Sequence, residues 1–372
     1  MSLFKLCRLS YIIILLIGMS SLSYGQSRDL PGWETNTAKA VIELDELKRG
    51  GPPKDGIPSI DNPHFISSTE AKSWIAEKEP VIVVEYEGVV RAYPLQVMIW
   101  HEIVNDEIQG DPLLVTFCPL CYSALVFERT VGGIVLEFGV SGFLRHSDLV
   151  MFDRKTETLW QQFTGKAIVG DYVGTTLGQI PSQIISFRQF KESYPDGVVL
   201  SKNTGYDRNY GQNPYTGYDD VSNTPLFGAG NEDGRLPPME KVIGVKLEEQ
   251  KKAYPYSITR EDQVINDEVV NTPLLIVHIE GATSAMDAAR IAESKESGST
   301  GVFERVLDEK ELTFIIKDGK IMDEQTGSVW SITGKAVEGE HKGKQLATIT
   351  FGDYFAFAWL VFWPETEIYT NN

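Results

Sequence analysis

Residues 113–129 read L-L-V-T-F-C-P-L-C-Y-S-A-L-V-F-E-R, from Leu113 to Arg129. Two runs of apolar, β-branched and aromatic residues flank Cys118-Pro119-Leu120-Cys121, which predicts a strand, a tight thiol-bearing turn and a second strand. Upstream, residues 81–86 read as a strand and residues 88–91 as a turn back into the same sheet. Pro94 suits the first turn of a helix running through Ile103, with Leu95, Met98, Ile99 and Ile103 at helical spacing. Val97 and Trp100 make the other side apolar as well, so this helix is expected to be buried all round, with His101 between its faces. Downstream, strands are expected around Gly132-Gly133, over 136–142, 148–153 and 158–170, with Thr156 to Thr158 supplying a turn. The period leaves 187–194 open between strand and short helix. Residues 202–238, dense in Gly, Asn, Asp and Tyr, read as a long connection. Residues 26–80 read as an ordered wrap centred on the Gly/Pro-rich stretch 50–58, with one short helix near 69–77.

Past the connection the first half returns. Ala92-Tyr93-Pro94 recurs as Ala253-Tyr254-Pro255, and Pro112-Leu113-Leu114 as Pro273-Leu274-Leu275. Val126-Phe127-Glu128-Arg129 recurs verbatim as Val302-Phe303-Glu304-Arg305, and Asp153, Thr156 and Trp160 find Asp323, Thr326 and Trp330. Matches kept in this order imply a duplication. The chain therefore reads as α+β, mostly β, with two related β-rich units packed together. The divisions are a signal peptide over 1–25, the wrap over 26–80, a first unit over 81–201, a linker over 202–238 and a second, degenerate unit over 239–372. The second unit lacks the chemistry. Cys118 aligns with Ile279, Cys121 with Ala282 and His101 with Asp262.

The N-terminus carries Lys5 and Arg8, then an apolar run from Tyr11 to Met19, then small residues before Gln26, the order of a cleavable export signal. The run is short for a membrane span, so no stable membrane insertion is expected after cleavage, and the protein is expected in a periplasmic or secreted compartment. Cys7 leaves with the signal, so Cys118 and Cys121 remain, which is no disulfide framework. The formal net charge of −18 at pH 7 argues against a nucleic-acid partner, and spread acidic residues suit a solvated surface.

With Phe117-Cys118-Pro119-Leu120-Cys121, His101-Glu102-Ile103-Val104-Asn105-Asp106 and Ser147-Asp148-Leu149-Val150-Met151, the chain resembles the bacterial exported family known as domain of unknown function 3179. The resemblance covers roughly Gly50 to the C-terminus and implies no reaction, because that family has none assigned. It also implies that threonine often stands where Cys121 is here, which would make two-thiol chemistry a property of this branch.

The paired cysteines admit three readings. Cys-Pro-x-Cys at a strand turn is a knuckle that aims two sulfurs at one point, and His101 would add an imidazole to complete a soft site for copper or zinc; His146 and Met151 are further donors within reach. A metal-delivery or redox partner in the export compartment would serve such a site. Alternatively, Cys-x-x-Cys exchanges thiol and disulfide with partners, although a strand after the motif denies it the helix N-terminus that lowers a thiol's pKa. A structural disulfide in a non-enzymatic ligand-binding or scaffold protein is the third, and closing so short a ring would contribute only about 2 kcal/mol. No Gly-rich phosphate loop, G-x-S-x-G elbow or H-E-x-x-H pair is present, so no nucleotide cofactor is expected and no enzyme class is assigned.

Overall fold

Each apolar run that flanks the thiol turn is a strand. In the computed structural model, which describes residues 30–228 and 233–371, Asp111–Cys118 and Ser123–Glu128 pair antiparallel, with Cys118 opposite Ser123 at the turn end. They form the middle of a four-stranded sheet with Ile103–Ile108 on one side and Gln179–Ile180 on the other. A five-stranded sheet runs Gln183–Ser186, Pro80–Tyr86, Val89–Pro94, Val198–Leu200, Phe65–Ser67. Another runs Lys48–Arg49, Phe138–Arg145, Asp148–Asp153, Leu159–Gln161, Lys166–Val169. The N-terminal stretch thus contributes an edge strand to two sheets.

The helix after Pro94 spans Leu95–His101 and stops because Glu102 turns left-handed at φ 58°. It is buried on nearly every side, with Trp100 half-buried. Phe187–Ser193 is a helix: Ser186 and Gln189 form a capping box, a signal that decides between the two readings of that stretch. The short helix expected near 69–77 is a single turn, Ser68–Ala71, started one residue early by the Ser67/Glu70 capping box. Residues 202–228 contain no strand among those described.

Besides the two-stranded ribbon of Val306–Leu307 and Lys310–Glu311, residues 241–368 build three further sheets whose strand order follows that of the first half. One runs Phe351–Phe355, Lys241–Leu247, Gln250–Pro255, Glu367–Ile368; a second Val264–Val269, Thr272–Ile279, Ser299–Glu304; a third Phe314–Lys317, Lys320–Asp323, Val329–Trp330, Ala336–Glu338. Side-chain networks recur with them. Asp153 accepts from Thr156 N at 2.8 Å and Trp160 Nε1 at 3.1 Å, and Asp323 from Thr326 N at 2.7 Å and Trp330 Nε1 at 2.9 Å. Asn105 exchanges two hydrogen bonds with the Phe138 backbone, and Asn266 does the same with Phe314. Both carboxylates are buried, and their donors come from the turn threonine and from the indole of the strand that follows. Asp153→Ala and Asp323→Ala should therefore each destabilise the protein by about 2–4 kcal/mol, since each strands a buried indole N–H. Urea unfolding of the two variants checks this, and a loss in one half only would separate the networks.

The halves share their cores. Phe355, Phe357 and Trp359 of the C-terminal strand and helix belong to the apolar cluster that holds Cys118, Cys121 and Tyr122. Conversely, Phe187 and Phe190 join a cluster with Leu275, Val277 and Phe303. Phe355 N also donates to Cys121 O at 2.9 Å, so the thiol turn is held from across the boundary. No helix among the described residues is long and apolar enough to cross a membrane. The expected export signal lies outside the described residues.

Candidate metal centre

Pro119 to Tyr122 close the loop between the two central strands, with Tyr122 N donating to Pro119 O at 3.2 Å. Tyr122 takes a positive φ of 56°, uncommon for a residue with a side chain, and this tight closure leaves Cys121 facing back toward Cys118. Both are free thiols and both are buried.

The third member comes from elsewhere. His146 and Ser147 are both left-handed (φ 53° and 62°) and make a two-residue hairpin turn between Phe138–Arg145 and Asp148–Asp153. That turn places Asp148, wholly buried, beside the sulfurs. The ligand atoms of Cys118, Cys121 and Asp148 all lie within 4.8 Å of one another, close enough to hold one metal ion. Asp148 Oδ2 is fixed by Gln161 Nε2 at 2.6 Å and Phe163 N at 2.9 Å, while Oδ1 is buried without a hydrogen-bond partner of good geometry. Cys118 Sγ reaches Ser147 O at 3.8 Å.

Burial governs the charges here. It pushes Asp148 up to about 7, against the downward pull of Gln161, the Phe163 N–H and the two thiols. Glu102 is pushed up to about 8, first by burial and then by the charge of Asp148. Burial also raises both thiols, Cys121 the more, with Cys118 and Asp148 adding to its shift. Without a cation, burial thus favours the protonated form of each of these acids. A divalent ion would reverse that, because it favours every deprotonated ligand at once.

His101 stands apart from this group. Its Nδ1 is 2.7 Å from Pro58 O and its Nε2 2.7 Å from Tyr210 OH, so both ring nitrogens are used in tying the helix to the wrap and to the connection. The structure brings the two cysteines together with the Asp148 carboxylate, and His101 is not in that group. His146 lies 3.9 Å from Glu46 with its ring edge-on to Phe362, and Met151 is fully buried opposite Trp160. Asp148 and Glu102 both fall in stretches the sequence singles out, but as a strand start and a helix end they read as framework. A usable signal for Glu102 was the second half, where it becomes Gln263; Asp148 had none, since the spacing that matches Asp153 with Asp323 sets Asp318 against it, in the turn before Lys320–Asp323.

The connection closes the site. Tyr218 OH donates to Leu120 O at 3.2 Å, Ser147 Oγ donates to Leu226 O, and Tyr215 feels the charges of Glu102 and Cys118. What reads as a linker in sequence is also the cover of the thiol turn.

A family model described as "Protein of unknown function (DUF3179)" matches residues 54–366. No curated protein and no solved structure matches the chain.

Proposed function

The chain belongs to the DUF3179 family, a premise that brings no reaction with it, and we propose that it is a metal-binding protein holding one ion between Cys118, Cys121 and Asp148. The observation that carries this reading is the convergence of three buried ligand atoms, two thiol sulfurs and a carboxylate oxygen, from two separate hairpins. An oxygen as the third donor, in place of an imidazole, moves the choice toward zinc, since copper(I) prefers an all-soft set. Glu102 stands near enough to feel the charge of Asp148. The site is closed, so the ion is held rather than offered to a substrate, and loading requires the cover around Tyr218 and Leu226 to lift.

Thiol exchange has less support. Both thiols are buried with their pKa raised, the opposite of an activated nucleophile.

Two β-rich units, 81–201 and 239–372, joined by 202–238 and descended from a duplication, are part of this reading. The parallel strand orders and the paired Asp/Thr/Trp and Asn networks support it, and the degenerate unit serves as scaffold for the other. The signal-like N-terminus supports export, with a delivery or redox partner in the same compartment. Mass spectrometry of the exported protein should find Gln26 at its N-terminus; a mature form that keeps Cys7 would refute the processing.

The metal reading is tested by dialysing the reduced protein against zinc and counting bound ions and reactive thiols. One zinc per chain, with both thiols protected from alkylation under mild denaturation, is the expected result. No bound zinc and two freely alkylated thiols would reject it.

A further inference from the structure

Lys241 begins the strand Lys241–Leu247, and its side chain runs to the back of the thiol turn, where the residue is 8% exposed. Its Nζ lies 3.6 Å from the centre of the Tyr122 ring, donates to Ser297 Oγ at 3.0 Å and stands 3.7 Å from Asp219 Oδ2. Asp219, also buried, holds a second cation, Lys295, at 3.1 Å. The lysine borders a cleft of about 320 Å³ that Tyr256, Arg260, Lys295 and Ser297 also line. Arg260 is exposed, and its guanidinium makes only a long hydrogen bond, 3.4 Å to Ser297 O, among the described residues. The metal reading uses none of these groups.

We propose that this cleft binds a small oxo acid, with Lys241 Nζ as the nucleophile toward its carbonyl carbon and Arg260 as the partner of its carboxylate. The geometry suits imine formation. The amine lone pair attacks the carbonyl carbon, a C–N bond forms, and the carbonyl oxygen leaves as water with the two protons that the ammonium gives up. The iminium product carries the same single positive charge as the ammonium, so Asp219 remains its counter-ion and no unpaired charge is buried. Of the groups facing Lys241, Asp219 from the connection and Asp353 from the C-terminal strand favour its charged form. Lys295 and Arg260 oppose it, and His278, Tyr122 and Tyr256 complete the surroundings. Burial is the largest influence and brings the amine down to about 8. About a tenth of it is then free base at pH 7, against fewer than about one in a thousand for an ordinary surface lysine.

The test is reductive trapping of the full-length protein with glyoxylate and cyanoborohydride at pH 7, followed by peptide mass spectrometry. Lys241 should acquire a carboxymethyl group at least about tenfold faster than any surface lysine. Arg260→Gln should slow trapping of glyoxylate several-fold while leaving trapping of propanal, which has no carboxylate, unchanged. Lys241→Arg should lose the fast label and keep the wild-type circular dichroism spectrum. Labels spread over exposed lysines with Lys241 unmodified would overturn the proposal, and equal slowing of both aldehydes by Arg260→Gln would overturn the role of Arg260.

Discussion

Replacing either Cys118 or Cys121 by Ser is expected to abolish zinc binding at micromolar metal, and Asp148→Asn to weaken it by at least about 100-fold. A serine hydroxyl at these positions stays protonated and cannot supply the negative charge that the ion needs after losing its water. Asn at 148 keeps the shape and one oxygen, and keeps an acceptor for Gln161 and the Phe163 N–H, so its effect reports the missing charge. His101→Asn provides the contrast. It removes the bridge between Pro58 and Tyr210, so it should lower stability and leave zinc affinity within about threefold. Competition with a chromophoric chelator measures all four variants. If His101→Asn lost zinc as completely as Cys118→Ser while remaining folded, a ligand set without the imidazole would be wrong.

Metal-free protein should lose stability as pH rises from about 4 to 8. Asp148 and Glu102 have folded pKa values of about 7 and about 8, far above those of carboxyls in an unfolded chain. Across that window the folded state binds more protons than the unfolded state, so deprotonation favours unfolding; each shift corresponds to a loss on the order of 3–5 kcal/mol. Other groups titrate in the same range. Buried Asp353 and Glu79, each held up at about 6, act in the same direction, and His278, held down at about 4, acts in the opposite one. The sound comparison is therefore wild type against the Glu102→Gln/Asp148→Asn double variant, in which those three contribute equally. Urea midpoints at pH 5 and pH 8 should converge in the double variant and stay apart in the wild type; parallel curves would show that the two carboxyls are ionised throughout. Zinc should reverse the slope, since binding releases the thiol protons and, below pH 7, that of Asp148.

The strands were legible because their alternation and β-branched content are local. The Asp111–Cys118 and Ser123–Glu128 pair and the Asp148–Asp153 strand lie where the sequence places them. Half of the candidate site was legible as well, since two cysteines three apart meet whenever a strand turn joins them. The rest depends on tertiary contacts. Asp148 reaches the sulfurs through the register of a different hairpin, and Glu102 turns inward because of one left-handed residue at a helix end, which no period announces. His101 attracts a ligand role by its nearness in sequence to the thiol strand, yet its ring is satisfied by Pro58 and Tyr210. The connection over 202–238 stands out by its Gly and Asp, although its tyrosines carry the better signal. Tyr210 and Tyr215 are half-buried and Tyr218 is buried in the first half's core, because aromatic rings in a loop need a surface to cover.

The coordination of bound zinc decides the central claim most directly. X-ray absorption at the zinc edge of the loaded, full-length protein should show two sulfur ligands at about 2.3 Å and oxygen at about 2.0–2.2 Å, with no imidazole scattering. A shell of nitrogen and oxygen without sulfur, or an imidazole beside the two sulfurs, would contradict a site built from Cys118, Cys121 and Asp148.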